Sequence, residues 1–355
     1  MQNVKHRRRW AAGVGLVVAV VASAALVGCA ATRGATPAPT TPAVRYALDA
    51  PQDWPGDLVV PLYRAGPYRQ VDVTINGRPT GRFLLDTGAN RPVIDTGRAN
   101  GLGLPDVGGG TTTGIAGQKQ TRFRQAEAIG LRADAHPETP FVLETAGARM
   151  IAMNLRGLGG PSGLVHSGIV CFRTLMAVPF TFNARANTLT LHRPEDFRPP
   201  DLNNPSVTRV RLRRFHGLPV VDAALKDENG TPVPIRLILD TGMNTAMSVP
   251  IGVLRASPGI AAVPVSGTGV SRGVGGSLRS TNTWARSTRV FDLELRNLPV
   301  AFEPMPDAID SADGLPQGRL GMAVLAHFEL TFDARRNWLY ARYLGSPDEP
   351  LASGR

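Results

Sequence analysis

Two carboxylates stand at matching places in the two halves of this chain. Phe83-Leu84-Leu85-Asp86-Thr87-Gly88-Ala89-Asn90 and Leu237-Ile238-Leu239-Asp240-Thr241-Gly242-Met243-Asn244 each run from an apolar strand into Asp-Thr-Gly, with Asn two residues after the Gly. A continuous apolar run is the pattern of a strand buried on both faces, and a carboxylate at its end is costly to bury unless it is paired. Two carboxylates brought within about 3 Å cannot both ionise, so they share a proton and titrate as a pair with one depressed and one raised apparent pKa. One can then take a proton from a water held between them while the other donates to a scissile carbonyl. The hydroxyls of Thr87 and Thr241 could cross to the opposite backbone. The N–H groups of Gly88 and Gly242 could hold the carboxylates coplanar, glycine allowing the close approach.

What positions these residues is a repeat. Gly168 to Leu189 aligns without a gap on Gly318 to Leu339 at an offset of 150, with eight of 22 positions identical, and Val71-Asp72 matches Val221-Asp222 at the same offset. The Asp-Thr-Gly turns are 154 apart, and Asp227-Glu228-Asn229-Gly230 offers a longer loop to absorb the difference. A period of about 150 residues is a duplicated domain rather than a solenoid unit. Leu58-Val59-Val60 and Val71-Asp72-Val73-Thr74-Ile75 read as strands, Asn76-Gly77 as a hairpin turn. Short strands broken by Gly and Pro continue throughout, which predicts an all-β class. If the halves are related by a two-fold, Asp86 and Asp240 meet at its axis.

On these residues the chain resembles the aspartic proteases of the clan that holds pepsins and retropepsins: Asp86-Thr87-Gly88 and Asp240-Thr241-Gly242 match its motif. The resemblance implies the acid-protease fold, two similar six-stranded closed β-barrel lobes about a pseudo-two-fold with the active-site cleft between them. It implies Asp86 and Asp240 as the catalytic residues and polypeptides as substrates. Two like glycine hairpins, Gly114-Ile115-Ala116-Gly117 and Gly273-Val274-Gly275-Gly276, sit 28 and 33 residues beyond their aspartates and are similar to retropepsin flaps. Ile169-Val170-Cys171 and Arg319-Leu320-Gly321 occupy the place of the apolar-apolar-Gly strand beside each catalytic turn. Three residues depart from the pattern: Cys171 for a packing Gly, Arg319 for an apolar residue, and Met243 for a small or hydroxylated one. They leave open a catalytically decayed pseudoprotease that binds extended peptides.

The start of the chain reads as an export signal. Lys5, Arg7, Arg8 and Arg9 precede the seventeen-residue apolar run Ala11 to Val27, and Leu26-Val27-Gly28-Cys29 resembles a bacterial lipobox, with Cys29 the lipidated residue. A transmembrane anchor is the alternative, the run being just long enough to span. The expected organisation is a signal peptide over 1–28, an anchored Ala/Thr/Pro-rich linker over 29–56, and lobes at 57–198 and 207–345. A Pro/Asn-rich linker at 199–206 joins the lobes, and 346–355 forms a tail. The expected location is the cell envelope on a bacterial membrane, the periplasm-facing outer membrane if Gram-negative, since Ala30 is not the Asp of inner-membrane retention.

Composition removes other classes. Four cations of the formal net charge of +11 lie in the leader, and the run Arg209-Val210-Arg211-Leu212-Arg213-Arg214 reads as a solvated strand face, so no nucleic-acid partner is expected. With Cys29 lipidated, Cys171 has no disulfide partner and reads as a small buried hydrophobe. His136, His166, His192, His216 and His327 show no paired metal spacing. Gly267-x-Gly269-x-x-x-Gly273 lacks the strand–helix unit of a nucleotide loop, and there is no Gly-x-Ser-x-Gly elbow. No metal or cofactor is expected, and the internal pseudodimer predicts a monomer.

Overall fold

The structure, a computed structural model, describes residues 15–16, 20–21, 56–133, 136–156, 166–227, 229–256, 259, 265–304 and 317–345. Residues 29–55, with Cys29, and the tail over 346–355 lie outside the described residues. Near the start of the chain, β1 (Gly15–Leu16) and β2 (Val20–Val21) are extended.

The first half contains β4 (Tyr63–Ala65), β5 (Tyr68–Ile75), β6 (Arg78–Asp86), β7 (Val93–Asp95), α1 (Thr96–Gly101), β8 (Asp106–Gly114), β9 (Gly117–Ala133), β10 (His136–Met153), β11 (Gly168–Cys171) and α2 (Phe172–Leu175). Its sheet closes through β5-β6-β11-β7-β10-β9 and back to β5, a six-stranded barrel. The second half repeats this with β15 (Arg213–Phe215), β16 (Leu218–Lys226), β17 (Pro232–Asp240), β18 (Met247–Pro250), α3 (Ile251–Ala256), β19 (Gly267–Gly273), β20 (Gly276–Val290), β21 (Leu293–Glu303), β22 (Gln317–Gly321) and a short helix, Met322–Leu325. Here the ring is β16-β17-β22-β18-β21-β20 and back to β16, six strands again. The fold is all-β, two similar closed barrels.

The hairpin turns account for the four-residue difference in spacing. Asn76 and Gly77 link β5 to β6 with φ of 51° and 72°, a pair suited to a two-residue turn. The matching link in the second half is longer: Asp227 N–H donates to the Thr231 carbonyl (3.0 Å), and the Asp227 carboxylate accepts from the N–H groups of Asn229 and Thr231.

A third sheet was not foreseen from the sequence. It has six strands in the order β14-β24-β23-β12-β13-β3. β3 (Leu58–Pro61), β12 (Phe180–Asn183) and β13 (Thr188–Leu191) come from the first half; β14 (Val207–Arg211), β23 (Phe328–Asp333) and β24 (Trp338–Tyr343) come from the second. Where the halves meet, antiparallel β12 and β23 pair Phe180 with Phe332, Thr181 with Thr331 and Phe182 with Leu330. Thr181 and Thr331 are equivalents under the 150-residue repeat, so the pseudo-two-fold axis passes between them; their hydroxyls hydrogen-bond at 2.8 Å. Phe180 and Phe332 stack across this seam with centroids 4.6 Å apart, and Phe172 meets Phe332 edge-on at 5.5 Å. One apolar core therefore runs through both halves, which ties the two barrels into one unit. The basic strand β14 lies at an edge of this sheet, with Arg209 and Arg211 over the Trp338 ring at 4.6 and 5.1 Å.

Candidate active site

Each aspartate ends a strand that is flanked by a parallel neighbour. β11 runs beside β6 with Cys171 opposite Asp86, and β22 runs beside β17 with Gly321 opposite Asp240. Phe83, Leu84 and Leu85 are fully buried, as are Leu237 and Leu239, and both aspartates have 0% exposure.

The threonines cross between the lobes. Thr87 Oγ1 donates to the Leu239 carbonyl (2.5 Å) and accepts from the Thr241 N–H (3.1 Å). Thr241 Oγ1 donates to the Leu85 carbonyl (2.8 Å) and accepts from the Thr87 N–H (3.0 Å). Four buried hydrogen bonds thus lock the two turns face to face. Gly88 N–H donates to Asp86 Oδ1 (2.8 Å) and Gly242 N–H to Asp240 Oδ1 (2.9 Å). The Oδ2 atoms have no hydrogen-bond donor, and the two buried carboxyls lie close enough for each to influence the other's titration. Glycine is required at both turns because the lobes meet here. A Cβ on Gly88 would sit 2.3 Å from Asp240 Cγ, and one on Gly242 would sit 2.5 Å from Asp86 Cγ.

Burial dominates the electrostatics. It pushes the Asp86 carboxyl well above the usual carboxylate range, with the neighbouring Asp240 charge adding to the effect. Asp240 is also raised by burial, to about 6, against an opposing pull from Arg319. The expected depressed member of the pair is therefore absent. Desolvation in the closed site outweighs the hydrogen bonds and the cation that favour ionisation.

Both glycine segments are hairpin tips: Gly114–Gly117 joins β8 to β9, and Gly273–Gly276 joins β19 to β20. The tips meet over the aspartates, Ala116 N–H donating to the Val274 carbonyl (3.3 Å). A Cβ on Gly114 would lie 2.3 Å from the Val274 carbonyl oxygen, and one on Gly275, which has φ of 94°, would lie 2.7 Å from the Gly117 backbone. Ile115 packs with Met243, the residue after the second Asp-Thr-Gly. Val274 packs in the cluster that holds Ala89, the residue after the first. Each flap tip is thus seated on the opposite lobe.

The departures from the family pattern compensate one another. Met243 is fully buried and its Cε lies 2.7 Å from where a Cβ on Gly321 would stand. In the other lobe the small Ala89 shares its cluster with Cys171. A large residue after the turn goes with Gly on the neighbouring strand, and a small one goes with Cys, so Met243 fills space rather than crowding the cleft.

Arg319 was legible only as a misfit in an apolar strand. It is 1% exposed, and its Nε lies 3.7 Å from Asp240 Oδ2. Nearby, the buried Glu303 accepts from Ser248 (2.6 Å) and from Ser271 of flap strand β19. Two cavities of about 400 and 340 Å³ lie off the dyad. The larger is lined by Gly109, Lys119 and Thr121 of the first flap and by Asn154 after β10; the smaller lies between the lobes, lined by Asn90, Arg91, Arg173, Arg214 and His216.

No curated protein matches the chain. Among solved structures it is similar to basic 7S globulin from soybean, at 10% identity and a TM-score of 0.47, covering 84% of this chain and 98% of that one. Residues 71–152, which span β5 to β10 and include Asp86 and the first flap, match the family model for aspartyl proteases. The chain is thus an all-β pair of closed six-stranded barrels about a pseudo-two-fold, and residues 71–152 of its first lobe are similar to the aspartyl proteases.

Proposed function

We propose that this chain is a lipid-anchored aspartic endopeptidase of retropepsin type, facing the cell envelope and cutting extended peptide segments. The observation that carries the proposal is the pairing of Asp86 and Asp240 under two like glycine hairpins, each carboxylate held by its own glycine N–H. A water between the carboxylates gives a proton to one of them as its oxygen attacks the scissile carbonyl carbon. The carbonyl oxygen takes the proton held by the other, giving a tetrahedral diol. The carboxyl protonated by the water then gives its proton to the leaving nitrogen as the C–N bond breaks, and a diol hydroxyl returns its proton to the ionised carboxylate as the C=O re-forms. The flap edges supply main-chain partners for a peptide by strand addition. Those edges already accept an extended segment: β1 runs parallel to β19, and β2 runs antiparallel to β8.

The soluble domain, residues 57–345, incubated with a peptide library across pH, is expected to cleave internal bonds. A statine-type inhibitor should block this. Activity should be bell-shaped, with its acid limb near pH 6 where Asp240 ionises, and its basic limb where Asp86 loses its proton. The pseudoprotease reading loses its support where Met243 and Cys171 are matched by Gly321 and Ala89. Tight peptide binding with no product at any pH would restore it.

Anchoring rests on the lipobox resemblance at Leu26 to Cys29. Cys29→Ser is expected to abolish labelling by a fatty-acid probe and to leave the leader uncleaved; equal labelling of variant and parent would overturn the anchor.

A further inference from the structure

The two Asp-Thr-Gly turns are near-copies, yet their surroundings differ in charge. At the offset of 150, the equivalent of Arg319 in the first lobe is Ile169. Arg319 is among the largest fully buried side chains, and its Nε and Nη1 have no hydrogen-bond acceptor. A guanidinium in that position is strongly unfavourable without a countercharge. Three acids stand in its surroundings, one of them at ion-pair distance. Asp240, on the adjoining strand β17, is 3.7 Å away. Asp86 lies across the lobe junction. Glu303 of β21 is engaged by the hydroxyls of Ser248, the register partner of Arg319, and of Ser271.

We infer that Arg319 is the counter-ion that makes the two aspartates unequal, holding Asp240 as the carboxylate that accepts the water's proton and leaving the shared proton on Asp86. One negative charge on the dyad then balances one guanidinium, and the charge is favoured on the nearer member. The titration pattern agrees. Arg319 is the largest influence lowering Asp240, whereas at Asp86 it ranks behind the Gly88 hydrogen bond. In the reaction Asp240 gains the water's proton as the C–O bond forms, and Asp86 gives its proton to the carbonyl oxygen as the π pair moves there. The dyad leaves this step with Asp240 protonated by the water and Asp86 ionised, its net charge unchanged.

The assignment rests on the peptidase reading, so its first test uses stability alone. Thermal unfolding near neutral pH is compared for the parent, Asp86→Asn and Asp240→Asn, each with Arg319 and with Arg319→Ile. Asp240→Asn is expected to melt several degrees below Asp86→Asn, because it strands the guanidinium. Arg319→Ile should recover most of that loss on Asp240→Asn and little on Asp86→Asn. Equal melting of the two Asn variants overturns the assignment, and that comparison needs no Arg319 variant to fold. In the second test, Arg319→Ile should move the acid limb of kcat/KM upward by about one pH unit or more, and Arg319→Lys should keep it near the parent. An unmoved limb in an active Arg319→Ile enzyme overturns the assignment while leaving the peptidase reading intact.

Discussion

Asp86→Asn and Asp240→Asn are each expected to lower peptidase kcat/KM by about a thousandfold or more, since an amide replaces either the proton donor or the base. The two losses should not multiply in the double variant, because the carboxylates act as one unit. An active double variant, measured against the parent on the same peptide, would show that the pair is not the catalyst. The same substitutions should alter how stability depends on pH. Both carboxylates titrate above their ordinary value of 3.8 in the folded state. Between that value and the folded one, the native protein binds more protons than the unfolded chain. Its stability therefore falls as pH rises through this window, which for Asp240 runs from about 4 to about 6. Below pH 4 the contribution is fully present. Urea unfolding followed across pH should show this decline in the parent and a flatter profile in the double variant; identical slopes would contradict the buried, protonated dyad.

Thr87→Val is expected to destabilise the fold by about 2–5 kcal/mol, even though valine has nearly the same shape. The hydroxyl both donates to Leu239 and accepts from Thr241. Removing it orphans a buried carbonyl and a buried N–H, at roughly 1–3 kcal/mol each. Thr241→Val should cost a similar amount through Leu85 and Thr87. Against a total stability of about 5–15 kcal/mol that is a large share. Chemical denaturation measures it, and a change below about 0.5 kcal/mol would mean that the crossed hydrogen bonds do not hold the lobes together.

Much of this molecule was readable before any coordinates. The apolar runs ending at Asp86 and Asp240, the hairpin signal at Asn76-Gly77 and the glycine tips at 114–117 and 273–276 express local rules, in which side-chain period and backbone freedom act over a few residues. The 150-residue repeat then paired the aspartates without further information, because copies of one unit related by a two-fold bring equivalent residues to its axis.

What the chain alone did not reveal depends on closure. The shared sheet forms because β12 and β23, short strands in separate halves, find each other across the axis; neither carries a mark of its partner. Met243 and Cys171 looked like defects singly, and only the apposition of each catalytic turn with its parallel strand shows that volume is conserved within each lobe. Arg319 read as a cation misplaced among apolar residues. Its countercharge is 79 positions away in the chain, and only the pairing of β17 with β22 in a closed barrel brings the two within 3.7 Å. Local sequence reports which side chains avoid water; which charge meets which inside the protein is decided by strand register across the closed sheet.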